Sequence, residues 1–465
     1  MLTTAATTPA NDPGTKLRGS DHCGHGRASL IADGSATVGH PTDPSMTSAA
    51  QPVVSPDGPI SVAASRDRGR DRYIDTLRVL ALARVIAYHV TGWVLLPIVF
   101  PSMGIMFALA GSLMAASLDR SPLNPWRVLG KRLRRMLPPL WALGAVLVTI
   151  MLLSGWHATE DLGTEFSWST ILFWLIPVVD PPASIQGSEW VIPLWYIRAY
   201  LWFVLTSPIL LWCFRRWHWR TLAAPLVVLL GYGAGLVPLK GAEGDIVLDW
   251  AVFGACWILG FAHHDRLIRT IPVARLLPVA VALIAAGLGW AFLFPDPLLG
   301  FAIADIPVAD GLYCLGFVLI LLRIYPDFGW MARFRRLDML ICAINQRAMT
   351  IYLWGNPCIA AAFLLLAEMP AVDDAMAKSG LRSIALVLTL TWALIGLAVL
   401  AFGWVEDIAA DRPVRLLPLS RRGGRHAERA AERHAPAQSQ VAAHPLDAHA
   451  SAHRPDQLRP QAATS

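Results

Sequence analysis

The chain has 465 residues, of which 55% are hydrophobic and only 15% are charged. That composition excludes an ordinary soluble protein and is typical of a membrane protein with several spans. The net charge of +6 does not indicate nucleic-acid binding, because the basic residues form short clusters between apolar runs. Such clusters are typical of the cytoplasmic loops of membrane proteins.

The apolar runs divide the chain into a membrane domain, 71–412, and two tails, 1–70 and 413–465. Both tails lack apolar periodicity, and we expect them to be disordered and cytoplasmic, the second being basic and rich in His. The fold class predicted for the domain is all-α, a polytopic membrane helix bundle of about ten transmembrane helices. The predicted spans lie near 75–97, 101–118, 137–156, 192–214, 221–239, 246–263, 273–294, 301–323, 343–367 and 382–404.

One further apolar run, Ser169–Val179, is short and contains Pro177. The loop around it, 157–191, has no Lys or Arg. If this run crossed the membrane, every later Arg cluster would change sides, against the positive-inside rule. The sequence therefore predicts a short external or re-entrant helix there. With ten spans, both termini lie in the cytoplasm, and the plasma membrane is the expected location.

The first predicted span carries two polar residues of interest, Arg78 and His89, eleven residues apart. That spacing is close to three helical turns, so both side chains share one face, about 16 Å apart along the axis. Arg78 would lie at the cytoplasmic edge and could bind a phosphate, and His89 near the middle of the membrane could act as a base or nucleophile. Alternatively, Arg78 marks the membrane boundary and His89 is a packed core residue.

A second basic cluster precedes the third span, in the stretch Trp126–Pro139. Its members include Arg132 and Arg135, which could hold the phosphates of a cytoplasmic donor. The alternative is that the cluster only anchors the span on the cytoplasmic side.

Several motifs in order make the chain resemble the acyltransferase 3 family of integral membrane acyltransferases. The resemblance covers about residues 73–413. One departure is Gly355-Asn356-Pro357, where many members have a His two residues before the Pro, at the position of Gly355. The matching motifs are Asp75-x-x-Arg78 with His89, the stretch Met106–Gly111, Arg132-x-x-Arg135-Met136-Leu137-Pro138, Pro193–Tyr196 and Thr350–Trp354.

The resemblance implies transfer of an acyl group, commonly acetyl, from cytoplasmic acyl-CoA to a hydroxyl of a glycan, lipid or natural product. It implies that Arg132 and Arg135, with Arg78, hold the CoA phosphates. His89 would deprotonate the acceptor or carry the acyl group, with Arg78 the second catalytic residue. Acyl-CoA is then a co-substrate, and no bound cofactor or metal is expected.

Three further residues are predicted to bind substrate: Arg198, Tyr352 and Asn356. For Arg198, pairing with a buried acid is an equally good interpretation. Arg84, also inside the first span, could pair with Asp249 or Asp305, or have a structural role.

The acidic pair Glu406–Asp407, before Arg412, is interpreted as a helix end and not as a catalytic feature. Polar groups inside spans also suit a second class of protein, a lipid or glycan transporter or flippase without acyl transfer. A transporter would more often show internal repeats, and the sequence contains none that we can recognise.

Overall fold

The computed structural model describes residues 71–159, 162–326, 328–368 and 380–415. The described residues form helices joined by turns and contain no strand, which confirms the all-α prediction. The predicted tails lie almost wholly outside the described residues. The helices are α1 (Arg72–Thr91), α2 (Leu95–Val99), α3 (Ser102–Asp119), α4 (Pro125–Leu153), α5 (Ser188–Val191), α6 (Leu194–Gly233), α7 (Gly241–His264), α8 (Leu267–Thr270), α9 (Val273–Leu293), α10 (Pro307–Arg323), α11 (Arg335–Gln346), α12 (Ala348–Ala367) and α13 (Gly380–Ala409).

Seven helical segments of the described chain are long and apolar enough to cross a membrane, judged by length and composition. A helix of about 20 apolar residues satisfies its own backbone hydrogen bonds across a bilayer. The chain is therefore a multi-pass membrane protein. The segments are Leu95–Asp119, Pro125–Leu153, Leu194–Gly233, Gly241–His264, Val273–Leu293, Ala348–Ala367 and Ser383–Ala409.

The predicted count of ten crossings differs from these seven segments for identifiable reasons. The 40-residue helix α6 has non-helical backbone angles at Trp217 and His218, so it joins two predicted spans across a kink. Helix α1 carries several charged side chains, and α10 has only 17 residues. Ten crossings with both termini in the cytoplasm therefore stays a prediction.

The first helix ends earlier than the predicted span 75–97. Gly92 adopts a φ of +63°, and its N–H donates to the carbonyl of Tyr88, so α1 ends at Thr91. A glycine in the left-handed region is a common helix stop, because it has no Cβ to clash. His89, predicted near the middle of the membrane, therefore lies in the last turn of its helix.

The ambiguous apolar run Ser169–Val179 forms a five-residue 3₁₀ helix, Thr170–Trp174. The buried indole of Trp174 donates a hydrogen bond of 3.0 Å to the carbonyl of Pro182. Five residues cannot span a bilayer, so the prediction of a short helix that does not cross is confirmed. Its side of the membrane stays a prediction.

Aromatic rings fill the centre of the bundle. Phe107, Phe203 and Trp257 are fully buried, and the last two are stacked with ring centroids 5.1 Å apart. The indole of Trp257 donates to the hydroxyl of Ser207 at 3.0 Å, so its buried N–H is satisfied. The ring of Tyr196 lies 4.8 Å from that of Phe107 and extends this aromatic wall toward a cavity.

Helices α3 and α7 approach each other closely at two glycines. A Cβ built on Gly260 would lie 2.1 Å from the carbonyl oxygen of Ala108, and one on Gly111 would lie 2.2 Å from that of Trp257. Small residues allow such close contact between membrane helices. The glycine that ends the stretch Met106–Gly111 therefore has a packing role.

Gly260→Ala is expected to destabilise the protein by about 1–3 kcal/mol, because the added methyl must push α3 and α7 apart. Gly289→Ala is the matched control, since a Cβ at Gly289 in α9 has no atom within 4 Å. The control should be neutral or slightly stabilising, as alanine is the better helix former. Melting temperatures of the detergent-solubilised variants measure the difference. Equal melting temperatures would show that the α3–α7 contact is not close.

Candidate active site

A cavity of about 310 Å³ opens between α1, α3, α4, α6, α11, α12 and the end of α13. Its wall combines apolar, aromatic and charged side chains. The lining residues are Arg78, Leu82, Met106, Ala110, Arg132, Arg135, Met136, Tyr196, Ile197, Tyr200, Asn345, Ala348, Met349, Tyr352, Glu406, Ala410 and Arg412.

The charged groups of the lining are mostly cationic. Arg78, Arg132, Arg135 and Arg412 supply four guanidinium groups, whereas Glu406 supplies the single carboxylate of the lining. Guanidinium groups bind phosphates and carboxylates through charge-assisted, often bidentate hydrogen bonds. The excess of positive charge therefore favours an anionic ligand.

Arg132 is held in place by helix α3 and by α6. Its Nη2 donates to the carbonyl of Leu113 at 2.9 Å and to the hydroxyl of Ser117 at 3.1 Å, and its Nη1 lies 3.4 Å from the hydroxyl of Tyr200. These contacts orient the guanidinium group, and its other N–H groups remain available for a ligand.

The side chains of Arg78 and Arg135 are not held by hydrogen bonds in the way that the side chain of Arg132 is. Neither guanidinium group forms a hydrogen bond or an ion pair with another residue in the described part of the chain, although both side chains line the cavity. Arg135 is exposed, and Arg78 is half-buried. Their guanidinium groups can therefore turn toward a bound anion without breaking a hydrogen bond within the described chain.

The end of α13 contributes two residues that the sequence interpretation did not assign to the site. Glu406 accepts hydrogen bonds from the backbone N–H of Thr350 at 3.2 Å and from its hydroxyl at 2.9 Å. Arg412 donates to the carbonyl of Gln346 at 3.3 Å. The interpretation of Glu406 as only a helix-end residue is thus incomplete, since its side chain also lines the cavity.

A smaller pocket of about 180 Å³ adjoins the main cavity and shares Arg132 and Arg135 with it. No carboxylate lies among its lining residues. That lining is Ser117, Arg120, Ser121, Val128, Lys131, Arg132 and Arg135.

Tyr352 lies in the cavity wall, as its predicted substrate-binding role requires. Its hydroxyl donates to the carbonyl of Pro193 at 2.7 Å, and its ring centroid lies 5.3 Å from that of Tyr196. Asn356, one turn further along α12, donates to the carbonyl of Glu189 at 3.0 Å and is not part of the lining. Substrate binding by either residue stays a prediction, with Tyr352 the better placed.

Arg198 lies outside the cavity, in a network of ion pairs. Its side chain is almost fully buried, and Nη2 lies 2.8 Å from a carboxylate oxygen of Asp249. A second ion pair joins it to Asp180 in the loop before α5. Burial raises the pKa of Asp180, and the Arg198 guanidinium opposes that rise. This geometry matches the alternative interpretation of Arg198 as the partner of a buried acid.

His89 also lies outside the cavity, although it is on the same face of α1 as Arg78. Leu82 is the last α1 residue of the lining, and the buried Val85 separates it from His89. The imidazole makes an edge contact with the ring of Tyr88, at a centroid distance of 5.8 Å. No hydrogen bond joins the imidazole to another described residue, so its nitrogens are not committed to a structural partner.

Arg84 makes neither of its predicted ion pairs in the described chain. Asp249 pairs with Arg198 instead, and Asp305 lies 3.4 Å from the hydroxyl of Tyr88. The Arg84 guanidinium lies 5.1 Å from the centroid of the Tyr88 ring, a cation–π contact.

One group of side chains at the α3 and α7 ends has the spacing of a metal site: Asp119, His264 and Asp265. Arg215 donates to both carboxylates at 2.8–3.0 Å, and the imidazole of His264 lies 2.9 Å from Asp119. One guanidinium group therefore already pairs with both acids, as in a structural ion-pair network.

These features together define a multi-pass membrane protein with an arginine-lined cavity between its helices. The model of the acyltransferase 3 family, described as an acyltransferase domain, matches residues 71–405. The chain belongs to this family of membrane acyltransferases. No curated protein and no solved structure matches it significantly. The family match ends just before Glu406, so Glu406 and Arg412 are cavity residues beyond the matched segment.

Proposed function

We propose that the protein transfers an acetyl group from cytoplasmic acetyl-CoA to a hydroxyl of a glycan, lipid or natural product at the plasma membrane. The observation that carries this proposal is the convergence of four arginines, from α1, α4 and the end of α13, on one cavity. Guanidinium groups are well suited to the phosphates of CoA. Membership of the family indicates acyl transfer, and the positive charge of the cavity favours an anionic donor.

The rest of the cavity suits the uncharged arm of the donor. Beyond the arginines, the wall turns apolar and aromatic, with Leu82, Met106, Tyr196 and Tyr352. The pantetheine arm of CoA is long and carries no charge, so it can follow this wall away from the phosphates. A mostly apolar pocket with a few polar groups is the usual form of a cofactor site.

In this proposal, the pantetheine arm extends along the face of α1 toward His89. Gly355 of α12 is buried beside this face, and a Cβ built on it would find only the Cγ1 of Ile86, at 3.8 Å. Ile86 stands one turn before His89. The position where many family members carry a His thus has space for a Cβ beside α1, between the cavity lining that ends at Leu82 and His89.

In the proposed reaction, His89 accepts the proton of the acceptor hydroxyl as its oxygen attacks the thioester carbonyl. The new C–O bond forms, the C–S bond breaks, and CoA leaves as a thiolate. The imidazolium then returns the proton to the thiolate sulfur, which restores the neutral imidazole. No other reactant is needed.

A labelled-donor assay tests the proposal. Membranes containing the protein are given acetyl-CoA labelled in the acetyl group, and the label is followed into lipid, glycan and small-molecule fractions. Arg135→Ala should raise KM for acetyl-CoA roughly 10- to 100-fold, the usual effect of losing a charged hydrogen bond. Arg134→Ala is the matched control, because Arg134 pairs with Asp411 on the surface and is not in the lining.

Two outcomes would contradict the proposal. If the two variants shift KM equally, the cavity arginine is not a donor contact. If no fraction is labelled, while a lipid or glycan crosses vesicles that contain the protein, the chain acts as a transporter or flippase.

A further inference from the structure

Helix α11 carries large apolar side chains on one exposed face. Leu337, Leu340 and Ile344 follow each other at intervals of three and four residues, so they lie next to one another along the helix. Leu337 and Leu340 are exposed, and the turn before α11 adds the exposed side chains of Trp330 and Phe334. A group of exposed apolar side chains of this size marks a surface that contacts a partner or a membrane.

Exposed arginines belong to the same segment. Arg333, Arg335 and Arg336 are exposed, and their guanidinium groups form no hydrogen bond or ion pair with another described residue. The single acid of α11, Asp338, lies 3.3 Å from the Nε of Arg72 in α1. The three arginines therefore give the segment an excess of positive charge, which fits an anionic partner.

A membrane surface that contains anionic lipid has the matching chemistry. Amphipathic helices with Trp, Phe and Leu on the apolar face and with arginines on the polar face lie in the headgroup layer of membranes. Anionic headgroups attract such arginines. Helix α12, which is long and apolar enough to cross a membrane, begins two residues after the end of α11. Because α11 leads directly into a membrane-spanning helix, a bilayer is favoured over a soluble acidic protein as its partner.

Ring contacts connect this exposed surface to the start of α1. The ring centroids of Phe334 and Trp330 lie 5.8 Å apart, and those of Trp330 and Phe328 also lie 5.8 Å apart. The ring of Phe328 in turn lies 5.4 Å from that of Tyr73 in α1. The position of the exposed aromatic side chains is therefore coupled to the helix that carries Arg78.

Helix α11 also reaches the arginine-lined cavity. Asn345 belongs to the lining, and its side-chain amide donates to the carbonyl of Asp75 at 2.9 Å. Asp75 lies about one turn before Arg78 in α1. A partner that holds α11 therefore also holds the part of α1 that lines the cavity.

We propose that segment 329–346 binds anionic phospholipid headgroups at the membrane surface, and that this contact stabilises the donor side of the cavity. The exposed apolar side chains enter the headgroup layer, and Arg333, Arg335 and Arg336 bind lipid phosphates. The lipid contact is independent of acyl transfer, whereas its effect on donor binding rests on the proposed function.

Proteolysis in lipid nanodiscs measures the contact directly, because both membrane surfaces are accessible there. The nanodiscs contain phosphatidylcholine with or without phosphatidylglycerol, and mass spectrometry follows cleavage by trypsin after Arg333, Arg335 and Arg336. Phosphatidylglycerol should slow this cleavage about 10- to 100-fold, since each arginine near an anionic surface contributes roughly fivefold. High salt should weaken the protection. Cleavage after Arg127 and Arg275, which are exposed arginines of α4 and α9, is the internal control and should change much less.

A variant of the segment gives a second measurement. Arg333→Gln/Arg335→Gln/Arg336→Gln should lose the rise in melting temperature that phosphatidylglycerol gives the wild type. All three side chains are exposed, so the variant should fold in phosphatidylcholine as the wild type does.

The matched control removes the same charge from three other exposed arginines, Arg127→Gln/Arg216→Gln/Arg275→Gln, and should keep the rise in melting temperature. In the labelled-donor assay, phosphatidylglycerol should lower KM for acetyl-CoA at least about fivefold in the wild type and in this control, the lower end of the usual coupling between two sites. The variant of the segment should show no such change.

Equal cleavage after the three arginines with and without phosphatidylglycerol would overturn the lipid contact and favour an acidic protein as the partner. The same conclusion would follow if the variant of the segment kept the full rise in melting temperature. Protection without any change in KM would overturn the link to the cavity. Protection in a protein that transfers no acetyl group in either lipid would overturn the proposed function and leave the lipid contact standing.

Discussion

Arg347→Met is expected to lower the free energy of unfolding by about 3–5 kcal/mol, because it leaves a buried carboxylate without its main partner. Arg347 is only 2% exposed, and its Nη2 lies 2.7 Å from an oxygen of Asp407. Its Nη1 also donates to the carbonyl of Gly403 at 2.6 Å, and a further bond reaches the carbonyl of Arg415. One guanidinium group thus joins the start of α12 to the end of α13.

The same substitution should also reduce acyl transfer. Glu406 and Arg412 flank Asp407, so loss of the Arg347 contacts frees a part of the cavity wall. We expect a higher KM for acetyl-CoA in the fraction of the protein that remains folded.

Melting temperature in detergent measures the stability effect of Arg347→Met. Arg134→Met breaks an exposed ion pair with Asp411 and should cost at most about 1 kcal/mol. The double variant Arg347→Met/Asp407→Leu should cost less than the two single variants together, since it removes both charges. If the melting temperature of Arg347→Met equals that of the Arg134→Met control, the buried pair does not hold α12 and α13 together.

The membrane character and the helices were predictable because both depend on local sequence. About 20 apolar residues in succession predict a span wherever they occur, and every predicted span overlaps a helix of the described chain. The exact ends depend on single residues. The end of α1 is set by the backbone conformation of Gly92, which the apolar pattern does not reveal.

The arginine site was predictable in part. Arg78, Arg132 and Arg135 were identified from motifs, and the structure brings all three to one cavity. Glu406 and Arg412 join them only because α13 packs back against α12, a contact between residues far apart in sequence. Spacing along one helix cannot show such a contact.

The same limit applies to buried ion pairs. A charged residue inside a span is a candidate for function whether it faces a cavity or a partner. Arg198 was predicted to bind substrate, but Asp180 and Asp249 meet it from two other segments of the chain. Arg347 was not identified at all, although it is more completely buried than any cavity arginine.

His89→Ala is expected to lower kcat for acetyl transfer by about 10²- to 10⁴-fold, the usual contribution of a general base. KM for acetyl-CoA should change little, because His89 lies beyond Leu82, the last α1 residue of the arginine-lined cavity. This separation of the effects on kcat and KM distinguishes His89 from Arg135, whose loss should mainly raise KM. Initial rates at several acetyl-CoA concentrations measure both constants.

His157→Ala is the control for loss of an imidazole, since His157 lies in the loop after α4 and outside the described cavities. Membrane insertion and melting temperature of His89→Ala should match the wild type, because no hydrogen bond holds this imidazole to another described residue. Normal kcat in a well-inserted His89→Ala protein would remove His89 from the chemistry. The base would then have to be sought among the groups that do line the cavity, of which Glu406 is the single carboxylate.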